Sequence, residues 1–157
     1  MNYFVNGRYL KRSRLRSKGG NVLGFDSLNL EGIPYWKHMG IEMREMTPGH
    51  VKLAMKAEHQ LTQMAGVLHG GAIASLMDSA MGAAVWSLNR PRARGVTAEM
   101  NINYISPVLP GEEVEAEARV INNGNTLSVC TVEVRNLKGR LVSFGTATFM
   151  LIKIAEG

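Results

Sequence analysis

Residues 66–88 read Gly-Val-Leu-His-Gly-Gly-Ala-Ile-Ala-Ser-Leu-Met-Asp-Ser-Ala-Met-Gly-Ala-Ala-Val-Trp-Ser-Leu. This stretch constrains the fold more than any other. It has the length of a helix and almost no polar side chains. Ala72, Ile73, Leu76, Met77, Ala80, Met81, Ala84, Val85 and Leu88 recur at the 3.6-residue period, while Ala74, Ala83 and Trp86 fill the other side. A helix apolar nearly all round is expected to be buried. Its length and its Gly, Ser and Asp interruptions do not suit a membrane span. Asp78 stands in its middle. A buried carboxylate is costly unless it is paired, protonated or used, so Asp78 is the leading candidate for chemistry.

The start of the helix is equally unusual. Gly70 and Gly71 are poor helix formers, but glycine lets another group approach the backbone closely. The first N–H groups of a helix lack internal acceptors, and the dipole there favours negative charge. Such amides suit a developing oxyanion. His69 stands at the entrance, nine residues before Asp78. That spacing is about 13 Å along a helix and about half a turn around it. One helix cannot bring the two together. If both serve one site, two copies must lie antiparallel, as a two-fold dimer places them.

The 157 residues suffice for one domain with a substantial core. Cys130 is the only cysteine, which excludes an internal disulfide framework and suits a reducing, cytoplasmic setting. Its place in the strand-like run 127–134 favours a buried, inert thiol over a nucleophile. His38, His50, His59 and His69 show no metal-ligand spacing, and no metal is expected. The net charge of +5 is uneven. Arg8, Lys11, Arg12, Arg14, Arg16 and Lys18 all precede the first acid, Asp26. Without an apolar centre this segment is no secretory signal. It reads as a basic arm over residues 1–27, ahead of a single domain over 28–157. It lacks aromatic interleaving and any DNA-binding motif, so neither nucleic acid nor membrane is expected as a partner.

Turns and strand-like runs surround the helix. Pro34 to Met39, followed by Gly40, reads as a short helix with Pro near its start and Gly past its end. Residues 41–47, closed by Pro48-Gly49, and the alternating run Val51, Leu53, Met55 read as a hairpin. Residues 58–66 form a polar loop into the helix. Beyond the helix, Asn89-Arg90-Pro91-Arg92-Ala93-Arg94-Gly95 reads as a basic, turn-rich loop. Four strands should follow. In the first, Val96, Ala98, Met100, Ile102 and Tyr104 alternate with Thr97, Glu99, Asn101 and Asn103. In the second, Val114, Ala116, Ala118 and Val120 alternate with charged residues as far as the turn Asn122-Asn123-Gly124-Asn125. Residues 127–135 and 141–153 complete the set, with Gly145 suggesting a bulge. The sum is an α+β domain in which an antiparallel sheet curls around one central helix.

This arrangement, with His69-Gly70-Gly71 and Asp78 in register, resembles the hotdog-fold acyl-CoA thioesterases. Within them it is similar to the phenylacetic-acid-degradation type, the group that also holds the mammalian thioesterase superfamily members. The likeness covers about residues 33–152. It runs through Gln63, Gly66-x-x-His69-Gly70-Gly71, Asp78, Gly95-x-Thr97 and Asn101-x-x-Tyr104-x-x-Pro107. It implies a hotdog fold and hydrolysis of an aromatic or medium-chain acyl-CoA to the free acid and coenzyme A. By the resemblance, Asp78 is the nucleophile or the general base, and the Gly70 N–H of the other subunit polarises the thioester carbonyl. Gln63 orients water or the leaving thiol, His69 binds near the thioester or holds the loop, and Thr97 orients the water or contacts substrate. Coenzyme A would lie beside Gly71, along residues 104–109 with Tyr104, Ser106 and Pro107, and at the turn 122–126 with Asn123 and Gly124. The family implies a homodimer at least, commonly a dimer of dimers, and no metal or organic cofactor.

Some assignments stay open on the sequence. Arg90, Arg92 and Arg94 are candidates for the phosphates or simply a solvated loop. Met64, Met77, Met81 and Met100 suit either an adaptable acyl pocket or plain core packing. The burial expected for Asp78 should raise its pKa and its basicity. Two other functions compete with hydrolysis. A non-catalytic acyl-CoA binding or sensing module would not need Asp78, and the arm is too short and unpatterned for the DNA-binding domain such regulators carry. A hotdog hydratase would place its His and acid in a different motif, which this chain lacks.

Overall fold

The computed structural model describes residues 2–5, 8–11 and 33–154. Part of the expected arm forms strand β1 (Asn2–Val5), paired antiparallel with β2 (Arg8–Lys11). The rest of the arm, and its junction with the domain near residue 28, lie outside the described residues. Helix α1 (Pro34–Met39) starts on Pro34 and ends at Gly40, whose φ of 66° closes the helix by donating its N–H to the Trp36 and Lys37 carbonyls. Then come β3 (Ile41–Thr47), β4 (His50–Lys56), a 3-10 turn (His59–Leu61), α2 (Gly70–Asn89), β5 (Ala93–Tyr104), β6 (Glu113–Asn123), β7 (Leu127–Asn136) and β8 (Leu141–Lys153).

The six strands β3 to β8 form one antiparallel sheet in the order β3-β4-β6-β7-β8-β5. α2 lies across its concave face. Ala72, Ile73, Leu76, Met77, Ala80, Met81, Ala84 and Val85 are buried there against Leu53, Met55, Val114, Ala116, Val132 and Val134. Each Leu, Met or Val side chain so buried contributes roughly 1.5–3 kcal/mol. The alternation of β6 holds, with Val114, Ala116 and Ala118 all inward.

Four expectations need correction. The helix is buried on one face only: Ala74, Asp78, Gly82, Ala83 and Trp86 remain partly exposed, because within one chain the sheet covers a single side. β5 begins at Ala93, so Arg94 and Gly95 belong to the strand rather than to the loop. Its alternation is broken by a bulge between Thr97 and Glu99, and Val96 and Tyr104, expected inward, are exposed on this edge strand. Gly145 marks a close approach instead of a bulge. A Cβ there would meet the Asn101 carbonyl oxygen at 2.6 Å and Met77 Cε at 2.8 Å. Among the four methionines, Met77 and Met81 are fully buried core residues, Met100 is partly buried against the core, and Met64 is fully exposed. Cys130 is buried, and loss of solvation pushes its thiol up to about 12.

Candidate active site

Asp78 projects from the face of α2 that the sheet does not cover. Its partner comes from β5. Gly95 has no Cβ, and one placed there would fall 2.8 Å from Val85 Cγ1, so glycine lets the strand lie close against the helix. Two residues on, Thr97 faces the same way, and its Oγ1 donates to Asp78 Oδ1 at 2.8 Å. The bulge follows at once and returns Met100 and Ile102 to the inner face. Asp78 Oδ2 has no partner among the described residues. Asp78 lines a cavity of about 460 Å³ walled by Trp36, Met46, Trp86 and Phe149, with Gly82 and Gly95 leaving room between them. An oriented carboxylate with one free oxygen, beside an apolar pocket, can take a proton from water or attack an electrophilic carbon.

The other candidate groups gather at the start of α2. Gly70 to Asp78 is eight residues of helix, about 12 Å. His69 is the N-cap, and its Nδ1 accepts the Gly71 N–H at 2.8 Å. The His69 carbonyl accepts the N–H groups of Ala72 and Ile73 at 2.9 and 3.3 Å. The Gly70 N–H has no acceptor among the described residues. Tyr104 lies against Gly70 and donates its hydroxyl to the Gly70 carbonyl at 3.1 Å. Gln63 sits in the loop before the helix, where its Oε1 accepts the Ala65 N–H at 2.8 Å. The structure therefore joins Asp78 with Thr97, His69 with Gly71, and Tyr104 with Gly70. It does not join Asp78 with the start of α2 within one chain.

The remaining candidates divide the same way. Ser106 and Pro107 follow Tyr104 past the start of α2, where Leu68 donates its N–H to the Val108 carbonyl at 2.8 Å. Asn123 and Gly124 lie at the opposite end. Asn123 exchanges amide hydrogen bonds with Asn89, at 3.0 and 3.2 Å. Gly124 borders a cavity of about 660 Å³ that also takes in Arg92, Asn125 and Lys153. Asn125 belongs to the turn already expected to meet coenzyme A, whereas Lys153 was not foreseen, because nothing local marks the end of the last strand as a neighbour of the loop after α2. Arg94 borders the Asp78 cavity, but it falls between Ala93 and Gly95, which face the helix. Strand alternation turns its side chain to the outer face. The Arg90 guanidinium stacks on Trp86, 4.5 Å from the ring centre.

Comparison with known proteins supports the fold and the family. Residues 65–143 match the family model described as thioesterase superfamily. Human acyl-coenzyme A thioesterase 13 is 37% identical over 109 residues, covering 69% of this chain and 77% of the relative. The E. coli PaaI protein from the phenylacetic acid degradation operon superposes with a TM-score of 0.74 over 78% of this chain and 87% of its own; at 24% identity it speaks for the hotdog fold alone. A Streptococcus mutans protein determined bound to acetyl CoA superposes with a TM-score of 0.69 at 25% identity, covering 74% of this chain and 91% of that one.

Proposed function

The chain belongs to the thioesterase superfamily as an acyl-CoA thioesterase, and from that premise we propose that Asp78 of one copy and the Gly70 N–H of a second copy form each active site. The observation that carries this reading is the Asp78–Thr97 pair, which fixes one carboxylate oxygen and frees the other beside an apolar cavity. Asp78 acts either as the base that takes a proton from water while the water oxygen bonds to the thioester carbon, or as the nucleophile, in which case loss of coenzyme A leaves an acyl anhydride on Asp78 that water then cleaves to the free acid. Negative charge then grows on the carbonyl oxygen, where a helix-end N–H stabilises it. Collapse breaks the C–S bond, and coenzyme A leaves as its thiolate and takes up a proton. The aromatic walls of the cavity suit an aromatic or medium-chain acyl group, and this chemistry needs no metal or organic cofactor.

Two copies are required because about 12 Å of helix separates Asp78 from Gly70. The exposed edge β5, with Val96 and Tyr104 open, offers the surface for an antiparallel pair. Val96, Met150 and Leu127 make an exposed apolar row across β5, β8 and β7, suited to joining two such pairs into a tetramer. A coenzyme A molecule bridging the pair would meet residues 104–109 of one copy and the Asn123–Gly124 turn of the other, with Arg92 and Lys153 beside its phosphates.

The test is thiol release from a panel of aromatic and straight-chain acyl-CoAs, with the wild type and Asp78→Asn side by side. Rapid release that drops on the order of 100-fold or more in the variant is expected. Absence of release from every member, with the protein folded, would sink the proposal for these substrates.

A further inference from the structure

We propose that His69 is a positioning residue: its imidazole caps α2 through Nδ1, takes up the Gly71 N–H, and leaves the Gly70 N–H as the amide open to the reacting carbonyl. This rests on the thioesterase reading above and assigns the role that reading leaves undefined.

The first turn of α2 presents the N–H groups of Gly70, Gly71, Ala72 and Ile73. Ala72 and Ile73 donate to the His69 carbonyl, and Gly71 donates to His69 Nδ1. Gly70 alone lacks an acceptor among the described residues. An Nδ1 that accepts carries no proton, so the ring is neutral and its proton sits on Nε2. Protonating the ring removes the acceptor and puts a cation at the positive end of the helix dipole. The Gly71 N–H is then released beside the Gly70 N–H, and the geometry of the turn is no longer fixed.

The two glycines have different tasks in this arrangement. A Cβ on Gly70 would meet the Tyr104 ring at 3.4 Å, an ordinary contact. A Cβ on Gly71 would lie 2.9 Å from His69 Nδ1 and 3.2 Å from Cε1, and would push the ring off its seat. Gly71 is thus the seat of the imidazole. The carbonyl side of the same residue is held too: Ser75 Oγ donates to the Gly71 oxygen at 2.8 Å, and Tyr35 hydroxyl lies 2.5 Å from Ser75 Oγ. The cavity around the ring takes in Tyr35 from α1, Gln60 and Thr62 from the 3-10 turn and its surroundings, and Ser75 from α2. Tyr35 is the titratable neighbour there. Tyr104 of β5 lies over the adjacent Gly70, and no charged side chain lines that cavity among the described residues.

The experiment compares kcat and KM of the wild type, His69→Asn and His69→Ala, each confirmed folded by thermal unfolding. Asn is a strong N-cap that accepts the same N–H, so kcat should stay within about threefold of wild type. Ala should lose about tenfold or more in kcat with little change in KM, as for a displaced catalytic dipole. An Asn variant as slow as Ala would overturn the proposal. Nitrogen NMR of the His69 ring tests it without turnover. A neutral ring protonated on Nε2, disturbed by Gly71→Ala, is expected, and a proton on Nδ1 at neutral pH would overturn it. Failure of the thioesterase reading is distinct: the wild type would release no thiol while the NMR result stood.

Discussion

Asp78 has two carboxylate oxygens, and Thr97 holds one of them. That hydrogen bond sets the plane of the carboxylate and so the direction of the free oxygen. Replacing Thr97 by Val keeps the shape and removes the donor. We expect kcat to fall roughly tenfold or more with KM little changed, and Thr97→Ser to restore most of it, since misplacing a reacting group costs rate rather than binding. Steady-state kinetics on the two variants decide it. A Thr97→Ser variant as slow as Thr97→Val would show that the hydroxyl alone does not set the carboxylate, and a Val variant as fast as the wild type would remove the hydrogen bond from the mechanism.

Among the elements, the start of β6 is tied to its surroundings through one carboxylate. Glu112 accepts the Leu109 N–H at 2.7 Å and the Asn136 side-chain amide at 3.1 Å, with the Arg140 guanidinium alongside. The Leu109 N–H, then Asn136, then the Arg140 charge hold this carboxyl below the usual range. A lowered folded pKa contributes stability above the unfolded carboxylate value, about 4.3, and that contribution is lost as pH falls through the folded value. Glu112→Gln should therefore lower Tm by a few degrees at neutral pH and by much less in acid. Thermal unfolding across pH measures this, and a difference that persists in acid would contradict it.

The elements also mark how far the sequence could be read. α2, α1, β4, β6 and β8 follow from apolar period and from Pro and Gly punctuation, because each buries one regular face. β5 resists that reading. Its start was masked by Arg90-Pro91-Arg92, which looks like turn. Its unbroken alternation from Val96 to Tyr104 puts Thr97 outward, whereas the family motif places Thr97 in the site. The bulge reconciles the two: Thr97 pairs with inward Phe149, Val96 with outward Met150, and beyond the bulge Met100 pairs with inward Ala147. A one-residue register shift leaves no trace in composition, so Thr97 was legible by resemblance and not by pattern.

For the whole molecule, the proposed division of the site between the start and the middle of one helix gives a direct test of assembly. Gly70→Pro removes the amide proton at a helix position where proline is tolerated, and His69 before it is already extended, at φ −66° and ψ 137°. Gly70→Pro and Asp78→Asn should each be nearly inactive alone. Unfolded together and refolded, they should recover about a quarter of wild-type activity, since half of the pairs formed carry one intact site of two. No recovery, with mixed pairs shown to form, would place each site within a single chain.

Cys130 lies between the sheet and α2, its thiol held at about 12 by burial. The reaction's own product is a thiol, yet the folded protein has none to offer a thiol reagent near neutral pH. The colour that develops in a turnover assay is therefore coenzyme A alone, without a background from the enzyme. Once substrate is withheld, the same reagent becomes a clock: it marks each molecule only when the sheet lifts off the helix, and its rate reports how often that happens.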